Sequence, residues 1–367
     1  MASRKITKYT PGFNLRDVQK KYKLNKVIKL SSNENPYISD KVSKYISKAK
    51  HNINLYPDSM PGKLHSIIAS KIGYRLTAKN IILGNGSNEI LEFIVRMTLS
   101  NSSEVIIPKH SFLVYEIISK LQGAKVVTSR PDMNKNSPNY LGVDLKSIQE
   151  KITKHTKLIF IANPGNPTGT YINIEEIDNF INSINKNITV VVDEAYYEYL
   201  NSRVNKSAVS LIRKYKNLVV TRSFSKIYGL ASLRVGYGIS NRELIASLNL
   251  FKQPFNTNLF AQKAAELAIR DDKFVENSKL NNNVMLNKLI KTFKELSINY
   301  LGTSCNFLTF EVNRNSDNLF KYLLKNGIIV RPLINYKLPK YLRVSLGTPS
   351  EMHRFIKSLR SYYNEKI

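Results

Sequence analysis

The stretch Lys157–Thr170, "KLIFIANPGNPTGT", decides the fold: an unbroken apolar run, Leu158 to Ala162, stops at two Asn-Pro steps separated by a glycine. A short run that is apolar at every position reads as a strand covered on both faces, as in the middle of a parallel sheet. Proline and glycine directly after it force a turn at its carboxyl end. The same grammar recurs on either side. "EVIIP" from Glu104, "KVVTS" from Lys125, "ITVVVD" from Ile188, "NLVVT" from Asn217 and "RVGYGIS" from Arg234 are separated by helix-like stretches such as 111–122 and 174–184. That pattern predicts an α/β fold, a mainly parallel sheet flanked by helices, over residues 80–240.

Beyond residue 255 the rhythm changes. Helical stretches at 257–270 and onward to 296 precede "FLTFEV", a short helix, "GIIVRPL", "YLRVSL" and a last helix at 349–362, which together read as a smaller α+β unit. The opening residues, with "KLSSNENPY", read as an extended arm leading into the large domain. The expected organisation is an arm at 1–35, a large domain at 36–255 and a small C-terminal domain at 256–367.

Composition excludes several classes. The 367 residues, 42% of them hydrophobic, suffice for two cores. One cysteine, Cys305, allows no internal disulfide and suits a reducing compartment as a small buried side chain. No apolar run approaches the roughly 18 residues of a membrane span, and "MASRKITKYTPGF" has no apolar secretion segment, so a cytoplasmic protein is expected. His51, His65, His110, His155 and His353 have no zinc-like spacing, so no metal site is expected. A G-x-S-x-G elbow is absent, which speaks against a serine hydrolase. The formal charge of +29, from 56 Lys+Arg against 27 Asp+Glu, would attract phosphates, nucleic acid or an anionic membrane. The lysines are scattered without an aromatic-interleaved stripe, so no specific nucleic-acid partner is expected. A basic nucleic-acid-binding protein built on the same fold is the alternative from another class.

Ligands of such sheets collect at the carboxyl ends of the strands. Three polar sequences lie there: "NPGNPTG", "DEAYYEY" and "SFSK". Asp193, ending a buried strand, needs a partner because a buried lone carboxylate is costly, and a ligand pyridinium would serve as its cation. No nearby arginine suggests itself in the sequence. Tyr196 and the turn residue Asn166 can share a phenolate-like oxygen as donors. "GNGSNEIL" puts Gly84 and Gly86 before Ser87 and Asn88 at a helix start, where free amides bind phosphate; the third glycine of a dinucleotide fingerprint is missing. In "SFSKIYGLASLRVG", Ser223, Ser225 and Arg234 can hold one phosphate, leaving Lys226 beside it as an amine able to condense with an aldehyde. Taken singly, each has a plain reading: a strand-end acid, a turn, a capped helix, a solvated lysine. Together they match the polar groups of pyridoxal 5'-phosphate.

The order "YPD", "GNGSNE", "NPGNPTGT", "DEAYYEY", "SFSKIYGLASLRVG", "YLRVSLGT" resembles the fold-type I, class I/II pyridoxal-phosphate aminotransferases, most closely their histidinol-phosphate aminotransferase branch. The resemblance runs from "YTPG" at residue 9 to the last helix. It implies that Lys226 carries the cofactor and moves the proton, that Asp193 pairs with the ring nitrogen, and that Tyr196 and Asn166 bond the ring oxygen. Arg234, Ser223, Ser225 and the amides of Ser87 and Asn88 would hold the phosphate, and Phe112 would stack on the ring. Tyr56 of "YPD" would reach the cofactor phosphate of a neighbouring subunit, implying a homodimer with shared active sites. Arg343 would bind the carboxylate of the substrate. Asn33 to Tyr37, Asn306, Arg331 and Tyr9 would line the substrate pocket, Tyr9 near the substrate phosphate.

The implied reaction is transamination between L-histidinol phosphate and 2-oxoglutarate, giving imidazole acetol phosphate and glutamate in histidine biosynthesis. The chain departs from the branch on the substrate side: Lys8, Tyr9, Thr10, Pro11, Gly12 and Phe13 replace the usual arm pattern, and Ile38 follows "NENPY" where glycine is common. An aromatic amino acid aminotransferase is therefore the alternative, with a decarboxylase of phosphorylated amino acids more distant.

Overall fold

The computed structural model describes residues 12–48, 53–200, 206–312 and 316–364. Its centre is a seven-stranded sheet, ordered Ile81–Gly84, Gly236–Ile239, Leu218–Ser223, Thr189–Asp193, Thr156–Ala162, Glu104–Pro108, Lys125–Ser129. Gly236–Ile239 runs antiparallel to both neighbours, and the other pairings are parallel. The edge strand Ile81–Gly84 carries too few residues to stand out in the sequence and is not among the expected strands.

The opening stretch is the strand Thr156–Ala162, with Leu158 to Ile161 wholly buried between Glu104–Pro108 and Thr189–Asp193. Successive side chains point to opposite faces. Ile159, Ile161, Val190 and Val192 join Phe180 and Ile181 of the helix Ile174–Ser183 in one apolar layer. Leu158, Phe160, Val191 and Val219 join Ile90 and Ile94 of the helix Ser87–Thr98, and Tyr115 and Ile118 of the helix Leu113–Leu121, in the other. Burying each such side chain contributes about 1.5–3 kcal/mol, so the two layers fix which residues reach the sheet's carboxyl edge. Register then sets Ala162, Asp193 and Thr221 side by side along that edge.

A second core surrounds the antiparallel sheet Arg331–Pro332, Tyr341–Ser345, Phe307–Glu311. Leu289 and Phe293 of the 24-residue helix Asp272–Glu295, Phe310, and Phe355 of the last helix fill it. Two segments sit differently from expectation. The helix Leu259–Ala268, assigned by sequence to the small domain, buries Ala261, Ala264, Ala265 and Ala268 in the core of the large sheet. The arm is partly helical, over Leu15–Tyr22, where the Asn14 side chain caps the start by accepting from the Arg16 amide. Val18, Ile28 and Leu30 bury in the second core, and Ile28–Lys29 pairs in parallel with Ile328–Ile329. These few apolar contacts tie the arm to the small sheet rather than the large one.

Among the described residues no helix is long and apolar enough to cross a membrane, and no group of three or more His, Cys, Asp or Glu side chains could hold a metal ion.

Candidate active site

A cavity of about 280 Å3 opens where the carboxyl edge of the large sheet meets the small sheet. Its walls bring together Ser87, Asn88, Phe112, Asn166, Asp193, Tyr196, Ser223, Ser225, Lys226, Arg234, Arg331, Arg343 and Asn33.

One end is a cradle for an anion. The helix Ser87–Thr98 begins after Gly86 with no side-chain cap, which leaves its first amides free to donate. Gly86 has a φ of 73°, and a Cβ there would stand 2.5 Å from a terminal nitrogen of Arg234. Gly236 likewise admits the Ser87 amide, which a Cβ would approach to 2.4 Å. Arg234 donates to Ser225 Oγ at 3.3 Å and to the Ala231 carbonyl at 3.1 Å. Ser223 Oγ accepts from the Ser225 amide at 3.0 Å, which shapes the turn leading to Lys226.

Lys226 is enclosed at the centre. Its Nζ donates to the Ser32 carbonyl at 3.2 Å and lies 5.6 Å from the centre of the Tyr196 ring. Burial, and next the Arg343 charge, pull its pKa down to about 8, against a smaller upward pull from Glu34. An amine with that proton affinity exchanges a proton readily near neutrality.

Asp193 is buried at the end of its strand, and among the described residues it forms no ion pair; burial pushes its pKa up. Tyr115 Oη donates to its Oδ2 at 2.7 Å, and Thr221 Oγ1 and the Ala195 amide donate to its Oδ1 at 3.1 and 3.2 Å. The protein does supply an arginine nearby, Arg222 on the neighbouring strand. It binds the next residue instead: Nη2 and Nε donate to Glu194 Oε2 at 2.8 and 3.0 Å. Asp193 and Glu194 point to opposite faces of the sheet, so the cation that answers Glu194 cannot answer Asp193.

The other wall joins the two sheets. Arg343 donates to Asn166 Oδ1 and, at 3.0 Å, to the Ser31 carbonyl. With Oδ1 taken, Asn166 has its Nδ2 as the donor. The buried Arg343 Nε has no hydrogen-bond partner among the described residues. Asn33 donates to Tyr196 Oη at 2.8 Å, which brings the arm into the site.

These observations fit pyridoxal phosphate. The glycine-opened cradle suits a phosphate, the neutral-donor shell of Asp193 leaves the carboxylate's charge for a cationic ring nitrogen, and the enclosed Lys226 suits an aldehyde.

Two expected residues lie elsewhere. Tyr56 is 83% exposed and stacks on Phe255, ring centres 4.7 Å apart, away from the cavity. Asn306 stands behind the wall, its Nδ2 donating to the Asn33 carbonyl at 3.0 Å. Tyr9 lies outside the described residues. The sequence reading missed Tyr115, Thr221 and Tyr336. Of these, Tyr115 had a signal, since it follows Phe112 by one helical turn on the same face.

The chain belongs to the aminotransferase class I and II family, whose model matches residues 25–359. It is an aminotransferase, and the family's enzymes use pyridoxal 5'-phosphate. Among curated relatives, histidinol-phosphate aminotransferase 1 of Idiomarina loihiensis is 38% identical over 360 residues, 97% of this chain and 95% of that one. The histidinol-phosphate aminotransferase of Pelagibacter ubique is 38% identical over 366 residues, 98% of each. Among solved structures, the histidinol-phosphate aminotransferase of Clostridium acetobutylicum is 26% identical with a TM-score of 0.82, covering 92% of this chain and 100% of that one. That of Sinorhizobium meliloti, solved in complex with pyridoxal 5'-phosphate, shares the fold at 20% identity with a TM-score of 0.84, covering 98% and 96%.

Proposed function

We propose that the chain transaminates L-histidinol phosphate with 2-oxoglutarate, giving imidazole acetol phosphate and glutamate in histidine biosynthesis. The observation that carries this reading is one cavity holding a half-buried lysine, a phosphate cradle and, on adjacent strands of the small sheet, the paired Arg331 and Arg343. Two arginines beyond the cradle suit substrates that bring a carboxylate or a second phosphate. The nearly full-length likeness to histidinol-phosphate aminotransferases supports the same substrate.

In this reading the large unit carries the cofactor, and the small C-terminal unit closes the substrate side. Pyridoxal phosphate supplies an electron sink for the carbanion formed at the substrate Cα. Lys226 would hold it, and its amine would move the proton at the substrate Cα, as its lowered pKa allows. Asp193 would keep the ring nitrogen protonated. Tyr196 and Asn166 would donate to the ring oxygen, Phe112 would cover the ring, and Ser87, Asn88, Ser223, Ser225 and Arg234 would hold the phosphate. Arg343 grips the glutamate carboxylate. Arg331, with Asn33 and Asn306 ordering the wall, serves the substrate's far end.

The reading includes a cytoplasmic homodimer with Tyr56 entering the partner's site. Exposed Ile53, Leu55, Met60 and Phe255 around Tyr56 give it an apolar surface to bury. Sedimentation of the holoenzyme reads the assembly directly.

The substrate is tested by single turnover. The cofactor-loaded protein is mixed with L-histidinol phosphate or phenylalanine, and the cofactor absorbance is followed. Half-conversion at a far lower concentration of histidinol phosphate is the expected result. The reverse order makes the protein an aromatic amino acid aminotransferase.

A further inference from the structure

The sequence assigns Tyr115 no role, yet its side chain is held from three directions. It is fully buried in the helix Leu113–Leu121. Its ring lies parallel to Phe160, with centres 4.6 Å apart and 2° between planes, and edge-on to Phe112 at 5.7 Å and 88°. Its hydroxyl donates to Asp193 Oδ2 at 2.7 Å. Rings packed on face and edge prefer defined geometries, so the phenol has little freedom to turn away.

An ionised carboxylate offers about four acceptor positions. Tyr115, Thr221 and the Ala195 amide fill three of those on Asp193. One is left for a ligand. The donors act against burial, which by itself disfavours the charged carboxylate. The ionisable neighbours are Tyr115 from the helix, Glu194 and Tyr196 from the segment of Asp193 itself, and Lys226 from the turn after the next strand.

We propose that Tyr115 is a positioning residue: its hydroxyl keeps Asp193 anionic and turned so that the remaining acceptor position meets a protonated ring nitrogen. The site then selects a protonated heterocycle over a carbocycle of the same shape. This rests on the pyridoxal-phosphate reading of the cavity and is independent of which amino donor is used.

The test is a binding comparison on the apoprotein. Wild type and Tyr115→Phe are each titrated calorimetrically with pyridoxal phosphate and with 1-deazapyridoxal phosphate, in which a C–H replaces the ring nitrogen. Wild type is expected to prefer pyridoxal phosphate. Tyr115→Phe is expected to bind it about 10- to 100-fold more weakly, as for loss of a hydrogen bond to a charged group, while its affinity for the deaza compound stays unchanged. In an Asp193→Asn background the Tyr115→Phe change should leave the preference unaltered. Equal weakening of both compounds, or no weakening of either, overturns the proposal and leaves Tyr115 a packing residue. If Tyr115→Phe does not fold, Phe160→Leu removes the ring behind the phenol while keeping its hydroxyl, and should narrow the preference in the same direction; an unchanged preference overturns the proposal. A wild-type protein that binds neither compound defeats the cofactor reading itself, whereas one that binds both equally defeats only this inference.

Discussion

The guanidinium of Arg343, on the small sheet, donates to Oδ1 of Asn166, in the turn that ends a strand of the large sheet. The two residues are 177 positions apart in the chain. Their contact orients the Asn166 amide and fastens the two halves of the cavity to each other.

Replacing Arg343 with lysine keeps the charge and loses the planar fork. We expect Arg343→Lys to raise KM for glutamate by about 10- to 100-fold, the effect of losing a charge-assisted hydrogen bond, with a smaller change in kcat. Steady-state kinetics with glutamate varied checks this. An unchanged KM would remove Arg343 from carboxylate binding.

Lys226 gives the apoprotein a signature of its own. Its pKa falls from 10.5 to about 8 in the folded chain, so between those values the unfolded chain binds more protons and stability rises with pH. The gain is complete above the unfolded value and is lost as pH falls through the folded one. Lys226→Met should abolish both that slope and turnover, and should stabilise the apoprotein at pH values below about 8. Thermal denaturation across that range measures it.

Glu198 titrates in the opposite sense. Both its carboxylate oxygens are buried without a hydrogen-bond partner among the described residues, and burial raises its pKa from 4.5 to about 6. Here the folded chain holds the proton more tightly, so the contribution is greatest below 4.5 and is lost as pH rises through 6. Glu198→Gln should flatten the stability profile over that interval and make the protein more stable at neutral pH. A steeper profile in the variant would refute the assignment.

The Arg222–Glu194 pair should be costly to break from one side only. Arg222 and Glu194 side chains are 7% and 2% exposed, so Arg222→Met strands a buried carboxylate, at a cost of about 3–5 kcal/mol. Adding Glu194→Gln should return part of that loss. Denaturant unfolding of the two single variants and the double variant gives the coupling.

Gly86 meets both a positive φ and the Arg234 guanidinium. Gly86→Ala should speed release of the cofactor phosphate end, seen as faster loss of bound pyridoxal phosphate on dilution, while the cores and the folded state persist.

The strand run "KLIFIA" and its relatives identified a parallel sheet because continuous apolar segments ending at turns have few other uses. Lys226, Asp193, Arg234 and Ser87 were legible as candidates because phosphate cradles, strand-end acids and strand-end lysines are made by residues close together in sequence. The helix Leu15–Tyr22 and the placement of Leu259–Ala268 were not legible, since which core receives a helix depends on its distant partner.

By itself the sequence determined six of the seven strands of the large sheet, their chain order and the chemical groups at the strand ends, because local periodicity and turn residues encode these directly. Only the tertiary structure decided which of the adjacent Asp193 and Glu194 received Arg222, because that choice rests on the face each presents across a strand pair 28 residues apart in sequence. It alone carried Tyr115 across 78 residues to Asp193, and Asn33 across 163 to Tyr196. Such contacts come from sheet register and helix packing, which many separate side chains settle together.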